Sequence, residues 1–477
     1  MTTSERYERV KETLESHDQA HLLTFYDELS QDEQRSLLDQ IEAHNWDEIA
    51  ALIQSHVLSE PEDGIPDPDA IDPPPYYPLE PSAELKSQYE EAYRKGEDLL
   101  RKGKVAAFTV AGGQGTRLGW DGPKGSFPAT PVNGKPLFQV FAEYIQKVQK
   151  DYDTTVPWYV MTSPINDEAT REFFKEHGFF GLEEENVMFF SQGTMTSIGT
   201  DGKVLLAEKG KLAENPDGHG GSLKALYKSG AVDDMEKRGV TQISYFQVDN
   251  PNVKCLDPLF IGLHALDGAG MSSKMLDKVG PKEKVGNFVQ VDGRIQIIEY
   301  SDIPDELAEA RNEDGSLQFN AGSIAIHVIS TDFVKRLNEG EGGFALPFHR
   351  ADKAVPHIDL ETGERVEPNE PNAVKLEMFV FDALPLAETS IILETDRVEE
   401  FAPIKNAEGD DSPQTSRELQ SQRAARWLRQ REVNVPFSGD DKVDAVIELS
   451  PLTAIRPSDL EGADLPQEVE RGSEVAL

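Results

Sequence analysis

Short apolar runs alternate with helical stretches along the chain from about residue 97 onward. Apolar runs of about four to eight residues are typical of buried strands, whereas apolar positions three and four residues apart indicate helices. The strands predicted in this way are Val105–Val110, Trp158–Met161, Val187–Phe190, Ile243–Val248, Phe288–Val291, Ile324–Ile329 and Met378–Phe381. The helices predicted between them are Phe138–Lys150, Asp167–His177 and Ser222–Lys237. This alternation predicts an α/β fold with a doubly wound, mostly parallel mixed sheet.

The two ends of the chain differ from this central region. Residues 1–59 carry helical apolar faces, and Ser30 with Glu33 has the spacing of a capping box. Residues 60–81 are rich in proline and acidic residues, so we expect an extended connector there. The chain is more polar after residue 385, with a further helix predicted over Ser416–Glu432. We therefore expect an N-terminal helical region with its connector (1–96), a central α/β domain (97–385) and a smaller C-terminal domain (386–477).

Composition narrows the possible partners. The formal net charge is −40 at pH 7 and no apolar run reaches transmembrane length, so neither nucleic acid nor a membrane is an expected partner. A few local cations still permit a phosphate ligand, because salt screens distant acidic groups. The single cysteine, Cys255, excludes an internal disulfide framework. With no hydrophobic segment behind the N-terminus, we expect a cytoplasmic protein.

A glycine-rich loop follows the predicted strand Val105–Val110. Glycines at 112, 113 and 115 let backbone N–H groups turn toward a phosphate or a base. The spacing fits neither the G-x-G-x-x-G dinucleotide fingerprint nor a Walker A loop. Two cations, Arg117 and Lys124, accompany the loop instead. This combination favours a nucleoside triphosphate whose pyrophosphate is neutralised and released.

The loop sequence G-G-x-G-T-R-L-G, followed by P-K-G, resembles the UDP-sugar pyrophosphorylase family (UTP–glucose-1-phosphate uridylyltransferase type 1). More narrowly, it resembles the eukaryotic-type UDP-N-acetylglucosamine and UDP-N-acetylhexosamine pyrophosphorylases. Elements similar to the family's follow in order: Phe189-Phe190-Ser191-Gln192-Gly193, Gly218-His219-Gly220, Val248-Asp249-Asn250, Glu299-Tyr300-Ser301, Phe319-Asn320-Ala321-Gly322, Lys375 to Asp382, and Phe401 to Ala407. The resemblance covers nearly the whole chain. It implies a nucleotide-diphospho-sugar transferase (Rossmann-like) fold and places the catalytic domain at 97–385.

The resemblance also implies roles for the matching residues. UTP and a sugar 1-phosphate would give a UDP-sugar and pyrophosphate. The implied nucleotide contacts are Val110, Ala111, Gly112, Gly113, Gln192, Gly218 and Asp249. The implied sugar contacts are His219, Asn250, Glu299, Asn320, Gly322, Phe379 and Phe381. The implied catalytic cations are Arg117, Lys124 and Lys405.

Asp249 is the expected metal ligand. It follows the predicted strand Ile243–Val248, and a carboxylate at a strand end is a usual ligand of a hard cation. Mg²⁺ typically takes one or two carboxylates together with phosphate oxygens and waters, so one aspartate is enough to begin a site. A strand-end aspartate alone is common, but Val248-Asp249-Asn250 resembles the metal- and nucleotide-binding element of the family, and this resemblance implies Mg²⁺ as the cofactor.

The identity of the sugar stays open at the level of sequence. The full-length resemblance favours N-acetylglucosamine 1-phosphate. His219 and Ser323 stand where the N-acetylglucosamine subgroup usually has asparagine, which favours glucose 1-phosphate or broad specificity. A catalytically silent nucleotide-sugar sensor is the alternative from another class, although all the implied cations and the metal aspartate are present. The expected oligomeric state is a monomer or a weak dimer.

Overall fold

The computed structural model describes residues 2–59, 66–340, 344–439 and 442–477, which form two compact units. The first unit takes the described residues of 1–64, 193–221 and 346–380. The second takes the described residues of 65–192, 222–345 and 381–477. The first unit is thus built from three stretches that are separated in sequence. The predicted boundaries after residues 96 and 385 divide the chain only into consecutive segments. Those boundaries stay predictions.

The second unit contains the large sheet. Among the described residues this sheet has ten strands, in chain order β1 (Ile71–Asp72), β2 (Val105–Val110), β3 (Trp158–Thr162), β4 (Val187–Ser191), β5 (Gln242–Gln247), β6 (Met271–Asp277), β7 (Gly286–Val291), β8 (Arg294–Ile298), β9 (Ala321–Ser330) and β10 (Ile392–Glu394). The α/β class predicted from the alternation of elements is confirmed, and so are the predicted strands that overlap with β2–β5, β7 and β9.

The middle of the sheet is parallel. Strands β5, β2, β3 and β4 lie side by side in that order and run in the same direction. Strand β9 continues the sheet antiparallel to β5 and also pairs with β6 and β7, while β6 pairs in parallel with β10. The carboxyl ends of the four parallel strands share one edge, where ligands bind in open α/β sheets. The segments that begin at residues 111, 163, 192 and 248 leave the sheet at this edge.

Among the described residues, ten α-helices lie wholly or almost wholly in the second unit, and some of them pack against the sheet. They are Lys86–Arg101, Leu137–Tyr152, Asp167–Glu176, Gly221–Lys228, Ala231–Arg238, Pro258–Leu266, Asp305–Ala308, Thr331–Glu339, Arg397–Glu400 and Pro413–Arg429. Aromatic side chains anchor the helix Leu137–Tyr152: the ring of Phe138 lies 6.4 Å from Trp158, and that of Phe141 lies 5.1 Å from Phe246. The C-terminal residues add a parallel pair of short strands, Val446–Glu448 with Glu474–Ala476.

Two glycines let the helices Lys86–Arg101 and Pro258–Leu266 touch backbone to backbone. A Cβ at Gly96 would lie 1.8 Å from the carbonyl oxygen of Pro258, and one at Gly262 would lie 1.7 Å from that of Ala92. Real Cβ atoms do not approach so closely, so both positions require glycine. This contact holds the helix Pro258–Leu266 in place. Asp257 immediately precedes this helix and belongs to the ion cluster of the site described below.

The first unit joins N-terminal helices to small antiparallel sheets. Its α-helices are Thr3–Ser16, Gln31–Ala43 and Trp46–Leu52, and its strands are Thr194–Thr196, Ile198–Gly199, Leu206–Glu208, Lys211–Leu212, Glu214–Pro216, His349–Lys353, His357–Ile358, Arg365–Val366 and Ala373–Glu377. The predicted capping box is confirmed, because the Ser30 side chain accepts from the Glu33 N–H and the Glu33 carboxylate accepts from the Ser30 N–H. Leu37, Leu38 and Ile41 share one apolar cluster with residues of the later segments.

The strand predicted at Met378–Phe381 is wrong. The strand ends at Glu377, and a 3₁₀ helix occupies Val380–Leu386. The reason lies in the glycine loop that follows Pro216, because the backbone of Met378 bonds to that loop and not to another strand. Its N–H donates to the Asp217 carbonyl, and its carbonyl accepts from the Gly220 N–H, both at 2.8 Å. The apolar character that mimicked a strand comes from packing.

The single helix predicted over Ser222–Lys237 is also wrong. It consists of two helices, Gly221–Lys228 and Ala231–Arg238, separated at Gly230. Gly230 has φ +80°, a left-handed conformation that ends a helix and that glycine adopts without strain.

The described part of the proline-rich connector is extended, as predicted, except for the 3₁₀ turn Pro68–Ala70. Residues Ile71–Asp72 form β1 on the edge of β7, and Tyr77 exchanges backbone hydrogen bonds with Ile392 and Glu394 at 2.8 and 2.9 Å. Residues 60–65, including Pro61, lie outside the described residues. Within the described ranges, no helix is long and apolar enough to cross a membrane.

Candidate active site

The glycine-rich loop leaves the sheet where β2 ends. Val110 is the last residue of β2, and the Ala111 N–H donates to the Met161 carbonyl of β3 at 2.8 Å. The backbone N–H groups of residues 112–114 donate to no acceptor in the described part of the chain. Successive N–H groups left open in this way make a concavity that binds anions or acceptor atoms. The loop predicted from the glycine spacing therefore has donors available for a ligand.

Asn166 holds this loop, although the sequence did not single it out. Its Nδ2 donates to the carbonyls of Ala111 at 2.9 Å and Gly113 at 3.2 Å, and its Oδ1 accepts from the N–H and the hydroxyl of Ser163. Asn166 is fully buried. An asparagine at the start of a helix looks like an ordinary N-cap in sequence, so no local signal distinguishes it.

Gln192 lies directly against the loop. Its N–H donates to the Thr162 carbonyl at 2.9 Å as β4 ends, and a Cβ at Gly112 would lie 2.3 Å from its Oε1. Two predicted nucleotide contacts, Gly112 and Gln192, are thus brought together. An amide that can donate and accept suits the edge of a uracil ring.

Lys124 and Asp249 are brought together at the carboxyl ends of β2 and β5. The Lys124 Nζ lies 3.7 Å from the Asp249 Oδ2, and both side chains are less than one-fifth exposed. The Lys124 N–H donates to the Gly113 carbonyl at 3.0 Å, which ties the lysine to the glycine loop. The predicted catalytic cation and the predicted metal ligand therefore share one location.

Arg117 has a different environment. It lies exposed in the 3₁₀ turn Thr116–Leu118 and has no hydrogen-bond or ion-pair partner among the described residues. This leaves its guanidinium group available to a ligand.

The glycine of the P-K-G element serves packing. A Cβ at Gly125 would lie 2.1 Å from the ring of Phe138, which is fully buried in the core. The element therefore lets the core come close to the chain that carries Lys124.

Lys405 comes directly after a residue, Ile404, whose backbone binds that of Asp249. The Ile404 N–H donates to the Asp249 carbonyl at 2.9 Å. The Lys405 Nζ lies 3.6 Å from the Asp411 Oδ2 and 5.5 Å from the centre of the Phe401 ring, with its side chain 38% exposed. The structure thus joins the chain segment of Lys405 to that of Asp249.

Asn250 strengthens the same junction. Its Nδ2 donates to the Glu400 carbonyl at 2.6 Å, and its Oδ1 accepts from the N–H groups of Asn252 and Ala402. Both oxygen lone pairs and one of the two N–H groups are used in this way. A contact of Asn250 with sugar stays a prediction, and it must use the remaining N–H of a buried amide.

A buried ion cluster lies beneath this junction. The Lys274 Nζ contacts both carboxylate oxygens of Glu400, at 2.7 and 2.6 Å, and the Asp257 Oδ2 at 2.6 Å. Burial alone would raise the pKa of Glu400, but the ammonium groups of Lys254 and Lys274 outweigh it and hold this pKa well below its ordinary value. Breaking a buried pair of this kind typically costs about 3–5 kcal/mol, because it leaves an uncompensated charge.

Glu299 and Ser323 flank the strand residue Gly286 on one face of the sheet. A Cβ at Gly286 would lie 3.7 Å from the Glu299 Oε1 and 3.8 Å from the Ser323 Cβ. Gly286 is a neighbour that the sequence analysis missed, since a strand glycine gives little signal by itself. Ser323, where the sequence departs from the resembling subgroup, is thus close to a predicted sugar contact.

The remaining predicted sugar contacts of the second unit have structural partners. The Asn320 Nδ2 donates to the Asp277 Oδ1 at 2.7 Å, and Gly322 lies in β9 between Leu276 and Asn287 of the neighbouring strands. Phe381 is buried. Their contact with a sugar stays a prediction.

His219, Phe379 and His349 stack in the first unit. The ring centroid of Phe379 lies 5.4 Å from that of His219 and 4.5 Å from that of His349, with interplanar angles of 24°. The Val380 N–H donates to the His219 Nδ1 at 3.1 Å. Burial, with a smaller effect of His349, lowers the pKa of His219 to about 4. His219 is therefore neutral at pH 7, and its proton lies on Nε2.

The surrounding protein requires glycine at position 218. Its φ is +83°, and a Cβ there would lie 2.3 Å from the Met378 carbonyl oxygen. The predicted nucleotide contact at this residue is untested, but the requirement for glycine is explained by the backbone of Met378.

The residues around Asp249 suit a metal ion that is held mainly by the phosphates of a bound nucleotide and by water. The described residues contain no group of three or more histidine, cysteine, aspartate or glutamate side chains placed to hold an ion. A cation at Asp249 would therefore need phosphate oxygens and waters to complete its shell, which is the usual manner of Mg²⁺ binding.

The sequence of this chain matches a known protein family. Residues 52–421 match the family described as UTP--glucose-1-phosphate uridylyltransferase. The chain is 37% identical to a UDP-N-acetylhexosamine pyrophosphorylase-like protein 1 of Xenopus tropicalis, covering 95% of this chain and 93% of that protein. It is 35% identical to the UDP-N-acetylglucosamine pyrophosphorylase of Saccharomyces cerevisiae, covering 86% and 88%.

A solved structure is similar over the same length. The uridine diphosphate N-acetylglucosamine pyrophosphorylase of Trypanosoma brucei superposes with a TM-score of 0.80 at 26% identity, covering 98% of each chain. The fold is thus that of the nucleotide-diphospho-sugar transferases predicted from the sequence motifs. Taken with the matched residues and the shared lengths, these findings show that the chain belongs to the UTP–glucose-1-phosphate uridylyltransferase family.

Proposed function

We propose that this protein transfers the uridylyl group of UTP to N-acetylglucosamine 1-phosphate, releasing pyrophosphate and UDP-N-acetylglucosamine. The observation that carries the proposal is the approach of Lys124 to Asp249, 3.7 Å apart, beside a glycine loop with open N–H groups. A cation, a carboxylate and a set of backbone donors at one sheet edge suit a nucleoside triphosphate bound with a metal ion.

Uridylyl transfer requires that the two substrates are positioned and that the charge on the phosphates is stabilised. An oxygen of the sugar phosphate attacks the α-phosphorus of UTP, the bond from that phosphorus to the bridging oxygen of the β-phosphate breaks, and pyrophosphate leaves. The attacking oxygen is already anionic, so no general base is required. As in other phosphoryl-type transfers, holding the reactants in line and stabilising developing charge supply the rate.

Each cation receives a role from its surroundings. Lys124 is held between Asp249 and the loop, so we assign it to the phosphate at which charge develops. Arg117 is exposed and unpaired among the described residues, so we assign it to the departing pyrophosphate. Lys405, whose exposed side chain contacts Asp411 only at 3.6 Å, is assigned to the phosphates as well.

Mg²⁺ is the proposed cofactor, and Asp249 is the residue that would hold it. When bound, the ion would neutralise charge on the triphosphate oxygens. We assign Gly112 and Gln192 to the uridine and Glu299 to the sugar. We also propose that the protein acts in the cytoplasm.

The sugar is assigned from the relatives. The similar proteins of Saccharomyces cerevisiae and Trypanosoma brucei are named UDP-N-acetylglucosamine pyrophosphorylases, and the chain covers most of each. Glucose 1-phosphate is the second candidate, favoured by Ser323 beside Glu299 and by the stacked, neutral His219.

The test is pyrophosphate release from UTP and Mg²⁺ with a panel of sugar 1-phosphates. The panel contains glucose, galactose and both N-acetylhexosamines. We expect the highest kcat/KM with N-acetylglucosamine 1-phosphate. A preference for glucose 1-phosphate would contradict the sugar assignment and leave the uridylyltransferase intact. Tight UTP binding with no release from any member of the panel would contradict the enzyme and favour a nucleotide-sugar sensor.

A further inference from the structure

We propose that Asn166 is a positioning residue that sets the glycine loop for UTP. This inference rests on the proposed function and deepens it, because it names the side chain on which the nucleotide-binding conformation depends. The Asn166 amide bridges the loop to the turn after β3 through four hydrogen bonds of 2.8–3.2 Å. All donor and acceptor positions of the amide are used.

The hydrogen bonds fix two peptide planes of the loop. Nδ2 binds the carbonyls of Ala111 and Gly113. In a trans peptide the carbonyl and the next N–H point in opposite directions, and the chain has no cis peptide bond among the described residues. The N–H groups of Gly112 and Gln114 therefore point away from Asn166. Both belong to the N–H groups of residues 112–114, for which the described residues provide no acceptor.

The geometry of the helix supports this assignment. Asn166 is the N-cap of the helix Asp167–Glu176, yet its side chain makes no capping hydrogen bond. A capping asparagine typically contributes about 1 kcal/mol to its helix. Here the amide is turned toward the loop, so the local helix gives up that stabilisation while the loop gains a fixed conformation.

The glycine residues give the loop conformational freedom, so the loop needs a side chain that fixes its backbone. Gly113 has an exposed position, and a Cβ there would contact nothing within 4 Å. Packing therefore does not hold this residue. Its carbonyl is held by the Asn166 amide and by the Lys124 N–H at 3.0 Å, so Asn166 also connects the loop to the turn that carries the catalytic cation.

The test compares Asn166→Ser with the wild-type protein. Serine can cap the helix Asp167–Glu176, but its short side chain cannot bridge both carbonyls, so the fold is retained while the support is lost. We expect the Kd for UTP, measured by calorimetry with Mg²⁺, to rise about tenfold, as the loss of about one to two net hydrogen bonds implies. We expect the KM for UTP to rise similarly and kcat at saturating UTP to change less.

Asn372→Ser is the matched control. The Asn372 amide holds the backbone of Val355 in the same manner, donating to its carbonyl at 3.1 Å and accepting from its N–H at 2.7 Å, but in the first unit and away from the glycine loop in sequence. We expect this variant to change Tm without changing the Kd for UTP. An equal loss of UTP affinity in the control would overturn the proposal, because the effect would then be general destabilisation.

The remaining outcomes separate this inference from the proposed function. If the wild-type protein binds UTP and Asn166→Ser binds it within twofold of the same Kd, the positioning role is overturned and the function stands. If Tm and kcat fall but the Kd for UTP does not, Asn166 is structural only and the proposal is again overturned. Failure of the wild-type protein to bind UTP would overturn both.

Discussion

Two glycine-rich loops contain glycines that serve opposite purposes. In the loop at residues 111–119, a side chain at Gly113 would meet no protein atom, and the N–H groups of residues 112–114 are open. In the loop at residues 215–221, side chains at Gly218 and Gly220 would lie 2.3 and 2.7 Å from the backbone of Met378. Gly113 in the first loop leaves room for a ligand, whereas Gly218 and Gly220 in the second leave room for the protein itself.

The two loops are also held differently. A side-chain amide, that of Asn166, fixes the first loop and leaves its N–H groups open. Backbone hydrogen bonds between Asp217, Gly220 and Met378 fix the second. A glycine motif in a sequence therefore does not reveal whether it serves binding or packing. Substitutions that separate binding from stability can test the difference.

The largest expected effect is on the chemistry beside the first loop. Lys124→Ala removes the cation 3.7 Å from Asp249, and we expect kcat to fall about a thousandfold with Tm nearly unchanged, because the lysine stabilises charge that develops in the reaction. Steady-state pyrophosphate release measures the effect. Lys102→Ala, at an exposed lysine paired with Asp98, is the control and should retain full activity. Turnover of Lys124→Ala near the wild-type value would remove Lys124 from its role.

The next effect is on the stability of the second loop. Gly218→Ala places a Cβ against the Met378 carbonyl and strains a residue at φ +83°, so we expect the free energy of unfolding to fall by about 3 kcal/mol. Urea denaturation measures it. Gly268→Ala controls for strain alone, because Gly268 has φ +61° and open space around its Cβ. Equal losses in the two variants would show that Met378 does not constrain the loop.

Acid should weaken the second loop and leave the first unaffected. The pKa of His219 is about 4 when folded, below the ordinary value of 6.5, so its contribution to stability is complete above pH 6.5 and is lost as pH falls toward 4. At pH 5 the loss is about 2 kcal/mol. Residues 111–119 contain no group that titrates in this range.

The measurement is the free energy of unfolding of the wild-type protein and of His219→Asn at pH 7 and pH 5. The wild-type protein should lose about 2 kcal/mol more than the variant, since asparagine does not titrate. Identical losses in the two proteins would show that His219 is not buried as a neutral ring.

The smallest effect should be a pure binding effect in the first loop. Gly113→Ala meets no protein atom, so we expect unchanged Tm. The added methyl group would occupy the open space that we assign to the nucleotide, so we expect UTP binding to weaken about tenfold, or about 1.4 kcal/mol. Calorimetric titration with UTP checks this prediction. Wild-type affinity would mean that the open space at Gly113 is not used by the nucleotide.

The sequence predicted the elements that depend on local pattern. The apolar run Val105–Val110 became β2 because a buried strand needs no more than continuous apolar character and flanking turns. The same rule failed at Met378–Phe381, where apolar residues pack beside a glycine loop whose backbone takes the hydrogen bonds. Gly230 divided a predicted helix because its left-handed conformation outweighs the helical pattern on both sides.

The sequence motifs predicted which residues belong to the site, but not how these residues are arranged in space. Lys124 and Asp249 were recognised separately, and their approach depends on the register of β2 and β5, which a sequence does not state. Asn166 and Gly286 gave no signal, since each is an ordinary residue whose importance comes from its neighbours. Local pattern does not indicate the three-stretch composition of the first unit either, because it depends on contacts between distant segments.

The most direct test of the central claim follows the phosphorus atoms of UTP. The protein is incubated with Mg²⁺, N-acetylglucosamine 1-phosphate and UTP labelled at either the α- or the γ-phosphorus. Transfer of the uridylyl group predicts that the α-label appears in UDP-N-acetylglucosamine and the γ-label in pyrophosphate. Retention of the α-label in free UMP, or release of the γ-label as orthophosphate, would contradict the account.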